Sequence, residues 1–131
     1  MATVTFVDET TSGLRWDAWR LPVDEERLTL RELIRRRVLQ EAAEHNARRL
    51  EVFHGLVQPT EAERTLNGYR LRAPDHAIDP ERQFLSAVEA FGRNGFLVLV
   101  GDRQVEELDA ELDLRTDTEV CFLKLVPLVG G

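Results

Sequence analysis

Cysteine and lysine are almost absent from this chain of 131 residues, which contains one of each, Cys121 and Lys124. A single cysteine excludes an intramolecular disulfide, so a reducing cytoplasm is the expected compartment. The other sixteen basic residues are all arginine. A GC-rich genome produces such a bias through its codons, and we favour that explanation over a functional one.

Long apolar runs are also missing. No stretch approaches the length of a membrane span, and the first five residues lack the basic and apolar regions of a signal peptide. The net charge of −7 argues against nucleic acid or an anionic membrane as the main partner. We therefore expect one cytosolic domain over residues 1–131, with no nucleic-acid and no membrane partner.

Residues that could carry chemistry are sparse. His45, His54 and His76 have no ligand partners at metal-like spacing, so no metal site is expected. Cys121 shares one face of a regular strand with Leu123 and Leu125, which predicts a buried small side chain rather than a nucleophile. No set of acid, base and nucleophile appears, and we expect no enzyme activity in this chain.

The first fifty residues predict a hairpin followed by a helix. Strands are expected over residues 3–7 and 14–23, joined by a turn cluster over 8–13, with Trp16 and Trp19 on opposite strand faces. Thr29 and Glu32 form a capping box for a helix that runs to about residue 49. Its predicted apolar stripe is Leu30, Leu33, Ile34, Val38, Leu39 and Ala42. That helix should lie across a sheet.

The middle of the chain gives weaker signals. Residues 51–57 suggest a short strand or a helix-to-strand transition, 60–64 a short helical turn, and 67–72 a hairpin or an extended arm. Asp79 followed by Pro80 is a strong helix start. This second helix should end near residue 94, and its apolar stripe is Phe84, Leu85, Val88 and Phe91.

The last third returns to strands. We predict a strand over residues 96–100, a turn at 101–102, a short return over 103–105 and a final strand over 119–126 that Pro127 ends. Between them, residues 106–113 alternate acidic side chains with leucines. Such a segment is usually solvated and anchored by its leucines, and its functional alternative is docking to a basic surface.

The chain ends on Gly130 and Gly131, directly behind the final apolar strand. Two terminal glycines arise by chance in only about 0.5% of chains. Glycine has no Cβ and takes extended conformations without steric cost, so a diglycine tail fits a narrow channel in a partner enzyme. The alternative is a frayed, flexible end.

The order of elements resembles that of ubiquitin-like β-grasp proteins. The resemblance is closest over the 36 residues from 96 to 131, which are similar to the sulfur carriers, namely the small subunit of molybdopterin synthase and the thiamine-synthesis carrier. There a strand, a turn, a segment like Val105, Leu108 and Leu112, an acidic turn and a strand lead to Gly-Gly. The resemblance implies an α+β fold: a ubiquitin-like β-grasp with a mixed sheet, one long helix packed across it, an inserted helix-containing segment at about 51–94, and a flexible diglycine tail over 126–131.

The same resemblance implies the chemistry. In that family a ubiquitin-activating-type enzyme adenylates the terminal glycine with ATP, so Gly131 would be the activated carboxyl and Gly130 its required neighbour. No cofactor would be bound to the chain itself. The tail segment that threads the partner would consist of Leu125, Val126, Pro127, Leu128 and Val129.

Three functions follow from these expectations. The leading one is a protein modifier conjugated to a target, because the 51–94 insertion offers a dedicated ligation partner extra surface. Its further partners would be a conjugating enzyme and a deconjugating protease, and few lysines would keep it from modifying itself. The second is a sulfur carrier with a C-terminal thiocarboxylate for cofactor biosynthesis. The third is a non-covalent β-grasp interaction module.

Overall fold

The computed structural model describes residues 2–48, 52–53, 55–57, 62–64, 69–71 and 77–125. The fold is α+β and contains a mixed five-stranded sheet and two helices. Two compact units make up the chain: a sheet unit, Met1–Glu32 with Arg93–Gly131, and a helix unit, Leu33–Gly92.

The sheet unit begins with the predicted hairpin, β1 Ala2–Thr10 and β2 Arg15–Val23. The turn predicted over residues 8–13 is wrong in its first half, since β1 continues to Thr10. The reason is long-range pairing: β1 runs parallel to a distant strand, and the ladder extends to the pair Thr10 and Lys124. The turn itself uses Gly13 at a φ of 97°, a backbone conformation that favours glycine.

Three further strands complete the main sheet: β7 Phe96–Val100, β8 Arg103–Val105 and β10 Thr118–Lys124. The strand order is β2-β1-β10-β7-β8. The interior strands β1 and β10 are parallel, and every other neighbouring pair of this sheet is antiparallel. The final strand therefore lies in the middle of the sheet and ends at Lys124, one residue before Leu125.

One face of this sheet is a buried apolar core. The pairing places alternate residues of β1, β10 and β7 on the same side, and the aromatic rings there meet. The ring centroid of Phe122 lies 5.7 Å from that of Phe6 and 5.8 Å from that of Phe96. Such tilted and edge-on contacts suit the quadrupoles of the rings. The buried apolar residues of this face include Ala2, Val4, Phe6, Val23, Phe96, Val98, Val120 and Phe122, and Asp8 is buried on the same face.

The two tryptophans of β2 share a face, contrary to the sequence-based expectation. Trp16 pairs with Asp8 and Trp19 pairs with Phe6, although their own spacing is three residues. The register shifts between them because Ala18 is an extra residue in β2. A bulge of this kind reverses the alternation of side chains beyond it.

A small two-stranded sheet, which the sequence did not predict, joins β3 Arg27–Thr29 to β9 Glu111–Asp113. The segment before β9 also accepts the first hydrogen bonds of the following helix, from Leu30 N to Ala110 O at 3.0 Å and from Arg31 N to Leu108 O at 2.8 Å. These carbonyls satisfy N–H groups that a helix start leaves without partners.

Helix α1, Leu30–Arg48, begins and ends close to the predicted positions. The Thr29 hydroxyl accepts from Glu32 N at 3.2 Å, which confirms the cap. Of the predicted stripe, Leu39 is only half-buried and the rest is buried. The buried face also contains Arg37, Glu41 and His45, which the stripe did not include. The packing of α1 across the sheet stays a prediction.

Three short strands belong to the helix unit: β4 Val52–Phe53, β5 Ala62–Arg64 and β6 Tyr69–Leu71, in the order β4-β6-β5. The predicted helical turn over residues 60–64 is wrong, because β5 pairs antiparallel with β6 and long-range pairing overrides a local helical preference. That pair fits the hairpin alternative for residues 67–72.

Helix α2, Pro80–Gly92, starts as expected. Asp79 Oδ1 accepts from the backbone N–H groups of Glu81 and Arg82 at 3.1 and 3.2 Å. The predicted apolar stripe is wrong at Leu85, which is 63% exposed. The buried positions are instead Gln83, Ala87 and Ala90, with Phe84, Val88 and Phe91 half-buried beside them. Across the described residues, neither helix has the length and apolar character needed to cross a membrane.

Candidate functional site

The candidate site is the end of β10, the last described strand before the segment 126–131. Of the tail residues that the sequence singles out, Leu125 is described, and it is 40% exposed. Val126, Pro127, Leu128, Val129, Gly130 and Gly131 lie outside the described residues. The predicted strand over 119–126 thus begins one residue earlier than expected and has ended at Leu125.

The start of the tail is held firmly from both sides. Leu123 and Lys124 pair with Leu97 and Phe96 of β7, while the same two residues pair with Glu9 and Thr10 of β1. One further bond, from Thr11 N to Lys124 O at 3.2 Å, extends this contact past the end of β1. Because a central strand is bonded along both edges, the point where the tail begins has a defined position in the sheet unit.

The lysine at this point has a polar and an aromatic neighbour. Lys124 Nζ lies 3.5 Å from Asp8 Oδ2, and the two side chains are 21% and 3% exposed. The same Nζ lies 5.6 Å from the ring centroid of Trp16. A cation at that distance from an indole face is attracted by the ring quadrupole. The ammonium is therefore engaged by a nearly buried carboxylate and by an aromatic ring.

The opposite face of the same strands contains a group of charged side chains. Arg15 bonds to Glu119 of β10 and lies 3.6 Å from Glu9 of β1. The hydrogen bond and the charge of Glu119 raise the pKa of Arg15, which stays a cation in any case. These groups are well exposed, so they contribute little to stability and mainly set the charge pattern beside the site.

Cys121 is buried, as predicted, on this second face of β10. Its Sγ donates to Glu9 Oε2 at 3.5 Å. Burial and then the neighbouring carboxylate raise the pKa of the thiol to about 11. A thiol in that environment keeps its proton at neutral pH, and the thiolate is the nucleophilic form. Cys121 is accordingly a poor candidate for covalent chemistry.

The acidic segment beside β9 is largely paired within the chain. Arg31 Nε lies 3.1 Å from Asp109 Oδ1, and Arg27 lies 3.9 Å from Glu111. Arg115 forms hydrogen bonds to both carboxylate oxygens of Asp113, which lower the pKa of Asp113 to about 2. The buried anchors are Leu112 and Leu114. This arrangement agrees with the solvated, leucine-anchored interpretation of the segment.

In the described part of the chain, no group of three or more His, Cys, Asp or Glu side chains is placed to hold a metal ion. His45 is buried on α1, and His54 and His76 lie outside the described residues.

No protein-family model, curated protein or solved structure matches this chain. Its function therefore has to be argued from its own residues and from the order of its strands.

Two polar arrangements were missed at the level of sequence. Arg37 and Glu41 form a buried ion pair at 3.3 Å, and their spacing of four residues within an apolar stripe is a signal that could have revealed it. The contact of Lys124 with Asp8 and Trp16 has no comparable signal, because it joins residues more than a hundred positions apart. The pairing of β1 with both β10 and β2 brings them together.

Proposed function

We propose that this chain is a ubiquitin-like protein modifier. A ubiquitin-activating-type enzyme adenylates the Gly131 carboxylate with ATP, and the acyl group is then conjugated to a target protein. The observation that carries the proposal is the position of β10, a central strand that leads directly through Leu125 into the segment with Gly130 and Gly131. The proposal applies equally to a Gly131 carboxyl that a protease exposes.

The strand order supports a β-grasp-like fold. In the order β2-β1-β10-β7-β8, the first and last described strands, β1 and β10, are parallel neighbours inside the sheet. β2 flanks β1 on one side, and the β7-β8 hairpin flanks β10 on the other. Parallel neighbours require a crossover connection, and here α1 lies within the chain that connects them. This arrangement is compatible with the ubiquitin-like fold that the resemblance implies.

The proposed chemistry needs little from the chain except a reachable carboxylate. A carboxylate oxygen of Gly131 attacks the α-phosphorus of ATP, pyrophosphate leaves, and the product is an acyl adenylate. Attack of a thiol and then of an amine transfers the acyl group onward and releases AMP. Glycine at both terminal positions removes the side chains that would obstruct a narrow channel.

The burial of Cys121 supports placing the thiol step on a partner. A thiol whose pKa is raised to about 11 supplies almost no thiolate near neutral pH, so it competes poorly with an activated cysteine elsewhere. The chain acts in this scheme as a substrate of the activating enzyme.

A sulfur carrier is the second candidate. It is favoured by the residues before the diglycine, Val126, Pro127, Leu128 and Val129, which resemble the tails of sulfur carriers more than the tail of ubiquitin. In that case sulfide rather than an amine attacks the activated carboxyl, and the product is a thiocarboxylate. The helix unit favours the modifier, since compact carriers have only a short connection where this chain has residues 51–94.

Mass spectrometry of the tagged protein from its own host distinguishes the candidates. A modifier gives branched peptides in which Gly131 is joined to an amine of another protein. A sulfur carrier gives an intact chain in which sulfur replaces one carboxyl oxygen.

The matched variants are deletion of Gly130 and Gly131, and Gly92→Ala. A Cβ at Gly92 would have no heavy atom within 4 Å, and the φ of Gly92 is not in the left-handed region. Gly92→Ala should therefore leave the fold unchanged. We expect the deletion to abolish conjugates and Gly92→Ala to preserve them. If the deletion leaves partner binding and biological effect intact, both covalent functions are wrong and the chain is a non-covalent module.

A further inference from the structure

The only lysine of the chain lies where its amine is close along the sequence to an activated Gly131 carboxyl. Six residues, 125–130, separate Lys124 from Gly131. Two groups separated by so few residues along a chain meet at an effective concentration on the order of millimolar. An accessible Lys124 amine would therefore be the first nucleophile that an activated Gly131 carboxyl encounters.

Such an attack would consume the activated carboxyl that a modifier needs for conjugation. Lys124 Nζ would attack the carbonyl carbon of the Gly131 acyl adenylate, an amide bond would form, the carbon–oxygen bond to AMP would break, and the amine would lose its proton to water. The product would be a closed loop of residues 124–131 without a carboxyl to transfer. Discharge onto Lys124 of a second copy would instead start a polymer.

The structure holds this amine in a way that opposes both reactions. The side chain of Lys124 is 21% exposed, and its Nζ lies 3.5 Å from the nearly buried carboxylate of Asp8. The same Nζ lies over the indole ring of Trp16, 5.6 Å from its centroid. An ammonium paired with a carboxylate has no available lone pair, and release from both partners must precede any attack.

We propose that Asp8 and Trp16 shield Lys124 from acylation by the activated Gly131 carboxyl, so that this chain is attached to its target as a single unit and never as a lysine-linked polymer. The proposal rests on the proposed function, because shielding has a consequence only if Gly131 is activated. It explains the placement of the one lysine, whereas codon usage explains only the scarcity of lysine.

The first experiment measures accessibility with a chemical probe, N-hydroxysuccinimidyl acetate, on the full chain. The variant Arg20→Lys provides an internal reference, since the Arg20 side chain is 75% exposed. Peptide mapping then compares two lysines in one molecule. We expect Lys124 to react about tenfold more slowly than the lysine introduced at position 20. Equal rates overturn the proposal.

The second experiment supplies an activated tail without an enzyme. The full chain is prepared as a Gly131 thioester, and formation of the loop through Lys124 is followed in intact-mass spectra as a product one water lighter than the hydrolysed chain. We expect the unmodified chain to hydrolyse with little loop formation. Trp16→Ala should form the loop about tenfold faster, and Lys124→Arg should not form it.

Asp8→Asn serves as a second variant, because it removes the charge of the partner while keeping its shape. If Trp16→Ala does not fold, this variant and the acetylation comparison still decide the question. Loop formation at the same rate in the unmodified chain and in the folded variants would overturn the shielding. Failure of the proposed function looks different: Lys124 stays slow in both chemical tests, while deletion of Gly130 and Gly131 has no effect in the host.

Discussion

The sheet unit and the helix unit bury different kinds of side chain. The main sheet is centred on apolar groups such as Phe6, Phe96 and Phe122, whereas the buried face of α1 in the helix unit includes Arg37 and Glu41. The difference follows from how backbone groups find partners. The backbone N–H and C=O groups of long paired strands hydrogen-bond to one another, so the side chains of these strands are available to form an apolar core.

The helix unit has no comparably long strands in its described part, and there polar side chains hydrogen-bond to backbone groups instead. Glu41 Oε1 accepts from Leu56 N at 3.2 Å, and Gln83 Nε2 donates to Val57 O at 2.7 Å. Asn46 bonds to both backbone groups of Ile78, at 2.7 and 2.8 Å. Buried polar side chains thus substitute for a strand ladder where the backbone is irregular. In the described part of the helix unit, buried Glu41 and Gln83 and half-buried Asn46 hydrogen-bond to backbone groups, whereas buried Asp8 of the sheet unit is paired with the side chain of Lys124.

The largest effect should come from the apolar core. Phe122→Ala removes a ring packed between two others, and we expect the free energy of unfolding to fall by about 4 kcal/mol. Urea unfolding measures it, and fluorescence reports the sheet unit because both tryptophans lie there. The exposed Leu14 provides a control, since Leu14→Ala should cost less than about 0.5 kcal/mol. Similar losses in the two variants would contradict the core assignment.

The buried ion pair should rank next. Glu41→Leu removes the carboxylate that accepts from Arg37 and from Leu56 N, and we expect a loss of about 3 kcal/mol by urea unfolding followed with circular dichroism. The double variant Arg37→Met with Glu41→Leu should be more stable than Glu41→Leu alone, because replacing both partners by apolar groups avoids leaving one charge behind. A double variant less stable than Glu41→Leu alone would mean that the separate contacts of Arg37 and Glu41 contribute more to stability than the ion pair between them.

A smaller effect is expected at the start of α2. Asp79→Ala removes the acceptor of two backbone N–H groups, and helix caps of this kind contribute about 1 kcal/mol. Amide hydrogen exchange of Glu81 and Arg82 should quicken in this variant. Asp102→Ala, in the exposed turn of the sheet unit, is the control and should leave these amides unchanged. Equal exchange in both variants would argue against the cap.

The smallest effect should come from the exposed pair of Asp113 with Arg115, which contrasts with the buried pair on α1. The pKa of Asp113 is lowered to about 2, so the pair contributes fully above the ordinary carboxyl pKa of 3.8, and its contribution is lost as the pH falls through 2. Arg115→Gln should raise the pKa of Asp113 towards 3.8, as an NMR titration of its carboxyl carbon would show. An unchanged titration would mean that Arg115 does not hold the carboxylate in solution.

Local signals predicted both helices and most strands of the main sheet. The Thr29 and Asp79 caps work through neighbours two or three residues away, and the hairpin turn depends on Gly13. The errors lie where pairing partners are distant. β5 became a strand because β6 lies beside it, and Ala18 shifted the faces of β2 through its register with β1.

The candidate site divides in the same way. Sequence alone indicated the tail from Leu125 to Gly131, and the burial of Cys121, because composition and strand alternation carry that information within a few residues. Tertiary structure decided that the strand before the tail is central, that Asp8 and Trp16 engage Lys124, and that Arg37 and Glu41 are buried together. The physical reason is that propensity, capping and alternation act between neighbours along the chain. Strand order, register and the partner of a buried charge are set by contacts between residues that only folding brings together.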